Sequence, residues 1–137
     1  MVVFLLALTA VFWGAAPIFD KIGVTKVDPL VGVTIRSTVV TIFLIILVFL
    51  LGKGKILNEV TLKDVFVFSA SGMLAGLFGM WTYYGALRME ATSRIVPIAA
   101  CYPLVTAVLS ALVLGEGFTL PRVVGTFLII SGIWLVK

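Results

Sequence analysis

Histidine is absent from this sequence, and cysteine occurs once, at Cys101. The common zinc and transition-metal sites of proteins are built largely from those two residue types, and an internal disulfide needs two cysteines. The sequence therefore excludes the usual His and Cys metal sites and a disulfide within the chain. It indicates no cofactor, and we interpret Cys101 as a small packing residue.

Charge is also scarce. Only 12% of the 137 residues are charged, 62% are hydrophobic, and the mean hydropathy is +1.28. A water-soluble core of this length does not need so apolar a chain. Five apolar runs approach the roughly 20 residues that a membrane-spanning helix requires. The predicted fold is an all-α integral membrane protein, a single domain over residues 1–137, whose five transmembrane helices cover residues 2–22, 29–51, 64–87, 92–114 and 119–136.

The connections between these runs are too short to form a soluble domain. They carry most of the Lys and Arg residues, which are ordinary topology signals in a membrane protein, so the net charge of +4 does not indicate nucleic-acid binding. The first run lacks a basic segment before it and a convincing cleavage site. We therefore expect a retained helix and not a signal peptide.

Carboxylates are missing from the middle of every run. A buried carboxylate that alternately binds proton and substrate is the usual mark of a proton-coupled antiporter, so these residues do not support proton coupling. No nucleophile, base and orienting group fall together either, so we do not expect an enzyme. The acidic residues all lie at or near predicted helix ends: Asp20, Asp28, Glu59, Asp64, Glu90 and Glu116.

The distribution of basic residues gives almost no preference for one orientation in the membrane. Five crossings place four Lys and Arg residues on the side of the N-terminus and six on the other, or four on each side without Arg36 and Arg94, which lie slightly inside helices. Either another feature sets the orientation, or the chain inserts both ways. The second interpretation predicts that the chain pairs with an inverted copy of itself as an antiparallel homodimer.

The third run carries a stripe of small residues. Gly72, Gly76, Gly79 and Tyr83 follow spacings of 4, 3 and 4, which places them on one face of an α-helix. Such a stripe allows close packing of a second helix. One interpretation is a packing seam alone; the other adds Tyr83 and the neighbouring Trp81 to the lining of a substrate cavity.

The fourth run combines two prolines with hydroxyl groups. Pro97 and Pro103 each remove a backbone donor, which membrane helices tolerate where protein groups or cavity water replace the lost partner. Thr106 and Ser110 follow Pro103 at helical spacing, and Tyr102 is one step round the helix. The two open interpretations are kinks satisfied by neighbouring helices and the wall of a polar cavity.

The first two runs also place polar or bulky residues inside apolar sequence. Arg36 lies about two turns inside the second run, where its guanidinium either extends to the membrane interface or faces a wet interior as an anion contact. In the first run Gly14, Pro17 and Lys21 share a face, with Trp13 adjacent. The same two interpretations apply to Lys21.

Several of these segments resemble the EamA domain of the drug/metabolite transporter superfamily, over essentially the whole chain. In order they are "FWGAAPIFDK", "DPLVGVTIRS", "YYGALRMEATSRIVPIAACYPLVTAVLSALVLGE" and "GTFLIISGIWL". The family's Trp-Gly pair followed by Pro and Lys is similar to Trp13, Gly14, Pro17 and Lys21, and its closing Leu-Gly-Glu is similar to residues 114–116. No single one of these elements is specific for the family, but their occurrence in this order is a strong signal.

The resemblance implies a transporter of small metabolites. Most members of the family resemble ten-helix proteins that are built from two inverted five-helix domains. This chain has one such domain and would need a partner. We therefore expect a multi-pass protein of the cell membrane that moves small organic solutes by alternating access, as an inverted homodimer. The alternative is a structural or assembly subunit that transports nothing. The expected cavity lining is Trp13, Arg36, Trp81, Tyr83, Tyr102, Thr106 and Ser110.

Overall fold

The structure is a computed structural model that describes residues 1–117 and 119–136, so Lys137, which enters the charge balance above, lies outside the described residues. Within these ranges every regular element is a helix and no strand occurs. The α-helices are α1 (Val2–Val24), α2 (Pro29–Leu50), α3 (Leu62–Ser71), α4 (Met80–Met89), α5 (Thr92–Ala99), α6 (Tyr102–Val113) and α7 (Leu120–Val136). A 3₁₀ helix covers Lys53–Glu59 and a π-helix covers Gly72–Gly79.

Four helical stretches are long and apolar enough to cross a membrane: Val2–Val24, Pro29–Leu50, Leu62–Met89 and Thr92–Val113. The fifth, α7, has 17 residues, the lower end of the range for a span. The predicted all-α class is confirmed for the described residues. The chain divides into two compact units, Met1–Met89 and Glu90–Lys137, each described by itself below.

Local capping explains where α2 and α3 begin. The Asp28 carboxylate accepts a hydrogen bond from the Leu30 amide at 2.9 Å, and Pro29 follows at a position whose amide would have no helical partner. Thr61 and Asp64 form a reciprocal capping box at the start of α3. The third run therefore begins at Leu62, two residues before the expected position.

The middle of the third run differs from expectation because Gly72–Gly79 is a π-helix. A π-helix closes i→i+5 hydrogen bonds and so has more residues per turn than an α-helix. The α-helical spacing that aligned Gly72, Gly76 and Gly79 is therefore not kept. No neighbouring atom lies within 4 Å of the position that a Cβ would take at Gly72 or Gly76, so neither forms a close helix contact within the first unit.

Gly79 is the glycine of this π-helix with the least room for a side chain. A Cβ built there would lie 3.0 Å from the Leu74 carbonyl oxygen, whereas Gly76 has open space. We expect Gly79→Ala to destabilise the protein by about 1–3 kcal/mol through overpacking against the backbone. Gly76→Ala should instead be neutral or stabilise it by up to about 1 kcal/mol, because alanine is the better helix former. Thermal unfolding of the two variants in detergent checks this, and equal shifts would contradict it.

The buried core of the first unit lies where α4 packs against α1 and α2. Val24, Val33, Tyr84 and Leu87 are each at most 4% exposed. Gly32 makes the packing of α2 on α4 possible, because a Cβ there would stand only 3.2 Å from the Tyr84 ring. The tyrosine ring thus occupies the space that a side chain on α2 would fill.

The second unit contains an interrupted helix. The fourth run, expected as one span over residues 92–114 with prolines that kink it, divides into α5 and α6 at Ala100 and Cys101. Pro103 has no amide hydrogen with which to continue the α-helical ladder, and its ring restricts the backbone of the preceding residue. The chain makes tighter i→i−3 bonds instead, from the Cys101 amide to the Ile98 oxygen at 3.1 Å and from the Leu104 amide to the Cys101 oxygen at 3.0 Å.

Candidate functional site

A cavity of about 520 Å³ lies between α6 and α7 in the second unit. Its volume is within the range of small-molecule sites, and most of its surface is apolar with a few polar groups. It is partly open to the surroundings of the second unit. The cavity can therefore hold a small organic molecule against apolar walls and offer it a limited number of hydrogen bonds.

The wall formed by α6 carries the three residues of the fourth run that the sequence predicted for a substrate cavity: Tyr102, Thr106 and Ser110. The Thr106 hydroxyl donates to the Tyr102 carbonyl at 3.1 Å, and the Ser110 hydroxyl donates to the Ala107 carbonyl at 3.2 Å. Each hydroxyl already donates its proton to a backbone carbonyl of α6, so only its oxygen lone pairs remain available, as hydrogen-bond acceptors. This wall therefore favours ligands that bring hydrogen-bond donors.

Tyr102 can contribute both a ring and a hydroxyl. It is 57% exposed, and none of the described residues makes a hydrogen bond with its hydroxyl. A hydroxyl at this position could instead donate to a carbonyl freed by Pro97 or Pro103, but the described part of the chain contains no such bond. The Tyr102 hydroxyl is thus available to a ligand in the cavity.

The segment that follows α6 contributes to the cavity lining. Gly115 adopts a φ of 67°, in the left-handed region that only glycine enters at little cost. This turn brings the Glu116 amide back to donate to the Ser110 carbonyl at 3.3 Å, and Glu116 lines the cavity. Sequence reasoning placed Glu116 only at a helix end and missed this position.

The wall formed by α7 was not predicted at all. Val123, Thr126, Phe127 and Ile130 line it. Their spacings of 3, 1 and 3 are those of one face of an α-helix, so a periodicity count over the fifth run was the signal that could have found them. Thr126 adds a hydroxyl and Phe127 an aromatic ring to the cavity.

The other four expected cavity residues, Trp13, Arg36, Trp81 and Tyr83, belong to the first unit and do not line this cavity. Trp13 and Trp81 are 65% and 45% exposed, and Arg36 is exposed. The Tyr83 ring packs against that of Tyr84 with centroids 6.3 Å apart. The role of these four residues in a substrate cavity stays a prediction.

Two long-range hydrogen bonds join α1 to α4 in the first unit, and the sequence predicted neither of them. The Tyr84 hydroxyl donates to the Asp20 carboxylate at 2.5 Å, and the Lys21 ammonium donates to the Leu87 carbonyl at 2.6 Å. Leu87 is in the last turn of α4, where carbonyls lack helical partners and a cation is favoured. The hydrogen bonds of Asp20 and Lys21 therefore connect the C-terminal part of α1 to the C-terminal part of α4.

The EamA-like transporter family matches the chain over residues 1–137. The chain belongs to the EamA-like transporter family. The resemblance stated from the sequence motifs is thus confirmed, and so is the fold class, a multi-pass membrane protein equivalent to half of a drug/metabolite transporter.

Two relatives of this EamA-like chain are similar to it in length. An uncharacterized protein of Methanocaldococcus jannaschii is 33% identical over 130 residues, which cover 95% of this chain and 91% of that protein. An uncharacterized transporter in the cobO 3′ region of a Sinorhizobium species is 24% identical over 125 residues, which cover 91% and 88%. No solved structure matches the chain.

Proposed function

We propose that this EamA-like protein moves small organic solutes across the cell membrane by alternating access, and that it acts as an antiparallel homodimer. The observation that carries the proposal is the cavity of about 520 Å³ between α6 and α7, whose lining includes Tyr102, Thr106 and Ser110. Aromatic rings at Tyr102 and Phe127 would pack against the solute, and the hydroxyl oxygens would accept its hydrogen bonds. The favoured solutes are therefore small, partly apolar molecules with donor groups such as amines, amides or hydroxyls.

The resemblance to a family of two inverted five-helix domains implies a second such domain, and two observations support a partner of the same sequence. The two relatives described above have nearly the length of this chain. The balance of Lys and Arg gives little preference for either orientation, so the chain can supply both halves of an inverted pair. In the proposed dimer a second copy covers the open side of the cavity.

The test is solute flux into liposomes that contain this protein alone. Solutes are first chosen by a thermal-shift screen on the purified protein, because a ligand that binds the folded state raises its apparent stability. We expect saturable uptake of a screened solute, and its acceleration when the same solute is preloaded inside. A structural or assembly subunit would bind no solute and give the flux of empty liposomes, which would overturn the proposal.

Dual insertion leads to a separate prediction. A topology reporter fused after the C-terminus is expected to be active on both sides of the membrane, because the basic residues are nearly balanced. Adding a few lysines to one set of connections should drive the reporter to a single side. Combining two variants biased in opposite directions should then restore flux that neither gives alone. A wild-type reporter active on one side only would contradict dual insertion.

A further inference from the structure

A second cavity lies in the first unit, at the end of α2, and the proposed transport does not use it. Its volume is about 210 Å³, below the roughly 300 Å³ of the smallest typical ligand pockets, and its lining is almost entirely apolar. One wall is a face of α2 from Thr41 to Phe49, and Leu57 of the 3₁₀ helix contributes the other. We call it the α2 groove. Its size suits a segment of one acyl chain better than a whole metabolite.

The 3₁₀ helix is folded back on α2 by Gly52, which ends α2 with a φ of 66°. In a 3₁₀ helix, residues i and i+3 lie on the same side. Gly54 and Leu57 share the side that faces α2, since a Cβ on Gly54 would stand 3.4 Å from the Phe49 ring and Leu57 lines the groove. The turn of Gly52 thus builds one wall of the α2 groove.

Two lysines lie in the 3₁₀ helix beside the α2 groove. Lys53 and Lys55 precede and follow Gly54, so they begin the two outer rows of the 3₁₀ helix, on either side of the row that faces α2. Both side chains are exposed. Among the described residues, neither lysine forms an ion pair. The 3₁₀ helix beside the groove therefore carries two positive charges that the described part of the chain does not neutralise.

The direction of the groove matches that of a phospholipid. The apolar span of α2 ends at Leu50, so the lysines that follow lie at the depth of the lipid headgroups. From Phe49 to Thr41 the groove extends over nine residues of helix, which rise about 12 Å toward the interior of the hydrocarbon layer. An anionic headgroup at the lysines would have its acyl chain directed along the groove.

We propose that the α2 groove is a binding site for one anionic phospholipid, whose phosphate contacts Lys53 and Lys55 and whose acyl chain lies against α2 and Leu57. Charge complementarity selects the anionic headgroup, since each lysine near a membrane surface attracts anionic lipid. Apolar contact alone would give no preference, because a groove in lipid is surrounded by equally apolar chains. This site is independent of the transport function proposed above.

The test is native mass spectrometry of the purified full chain titrated with dioleoylphosphatidylglycerol, with dioleoylphosphatidylcholine as the neutral comparison. We expect the anionic lipid to bind more tightly. The double variant Lys53→Gln with Lys55→Gln should weaken its binding by about thirtyfold, from the typical contribution of two lysines near a membrane surface. The matched control is Lys26→Gln with Lys63→Gln, which removes the same charge from exposed positions outside the groove. Equal losses in the two double variants would show attraction by net charge only and overturn the site.

The acyl part of the proposal has its own comparison. Val48→Phe fills the α2 groove and should weaken phosphatidylglycerol binding, whereas Leu50→Phe, at a position that is 76% exposed and does not line the groove, should not. Glycerol 3-phosphate, which has the headgroup phosphate without chains, should not bind measurably. Unchanged lipid binding by Val48→Phe, or tight binding of glycerol 3-phosphate, would overturn the proposal. Unchanged thermal unfolding of both variants confirms that they remain folded.

Discussion

Replacing Tyr84 by phenylalanine is expected to lower the free energy of unfolding by about 1.5–3 kcal/mol, the range for a hydrogen bond to a charged group. The Tyr84 hydroxyl is the donor to the Asp20 carboxylate at 2.5 Å, and the tyrosine is only 4% exposed. Without the hydroxyl, the carboxylate loses a partner in a site that neighbouring helices partly shield from water. Tyr84→Ala should cost more, about 3–5 kcal/mol, because it also leaves a cavity beside Gly32.

Unfolding in detergent measures these losses, and the adjacent tyrosine supplies the control. The Tyr83 side chain is only partly buried, and no hydrogen bond joins its hydroxyl to the described residues. Tyr83→Phe should therefore change stability by no more than about 0.5 kcal/mol. A double-mutant cycle of Tyr84→Phe with Asp20→Asn should show that the two losses are not additive. Equal effects of Tyr83→Phe and Tyr84→Phe, or strictly additive losses, would be incompatible with the bond to Asp20.

Thr106→Trp is expected to abolish the flux of any solute that uses the cavity between α6 and α7. Thr106 is on the cavity wall of α6, and an indole there would occupy space that the solute needs. The neighbouring Val105 is 61% exposed and does not line the cavity. Val105→Trp therefore adds a similar bulk on a side of α6 away from the cavity, and should leave flux near the wild-type value. Liposome flux of the two variants, compared at equal incorporation, measures the difference. Full flux in Thr106→Trp would exclude this cavity from the transport path.

Tyr102→Phe probes the same cavity with a smaller change. If its hydroxyl bonds the solute, the substitution should weaken binding by about 0.5–1.5 kcal/mol, the usual range for a neutral hydrogen bond, and leave thermal unfolding unchanged. Thermal shift with the screened solute and unfolding without it are measured on the same preparation. A lower thermal stability of Tyr102→Phe with unaltered solute preference would show that the Tyr102 hydroxyl has a purely structural role.

The π-helix is the irregular element of the third run. Such a helix is rare and frequently marks a functional position, and here it precedes α4, which carries Tyr83, Tyr84 and the contacts to α1. A conversion of Gly72–Gly79 to α-helix would rotate the residues before it relative to α4. The Gly79→Ala variant, which disfavours the present arrangement, is therefore informative in flux measurements as well as in unfolding.

Composition and local sequence were sufficient for much of the fold. A chain with this apolar content and these short connections can satisfy its backbone in lipid only as helices, and the runs of about 20 residues set their number. Proline and helical spacing also placed Tyr102, Thr106 and Ser110 on one wall, because side chains three and four residues apart on a helix are neighbours whatever the helix packs against. The resemblance in motif order was enough to recognise the family.

Tertiary structure decided what depends on residues distant in the chain. Asp20 and Tyr84 are 64 residues apart, and no periodicity within either run reveals that one accepts a hydrogen bond from the other. The wall of α7 and the position of Glu116 became part of a cavity only when the turn at Gly115 brought α6 and α7 together. The π-helix at Gly72–Gly79 likewise overrode the 3.6-residue spacing. Spacing along a sequence determines which side chains share a helix face, but packing determines what that face meets.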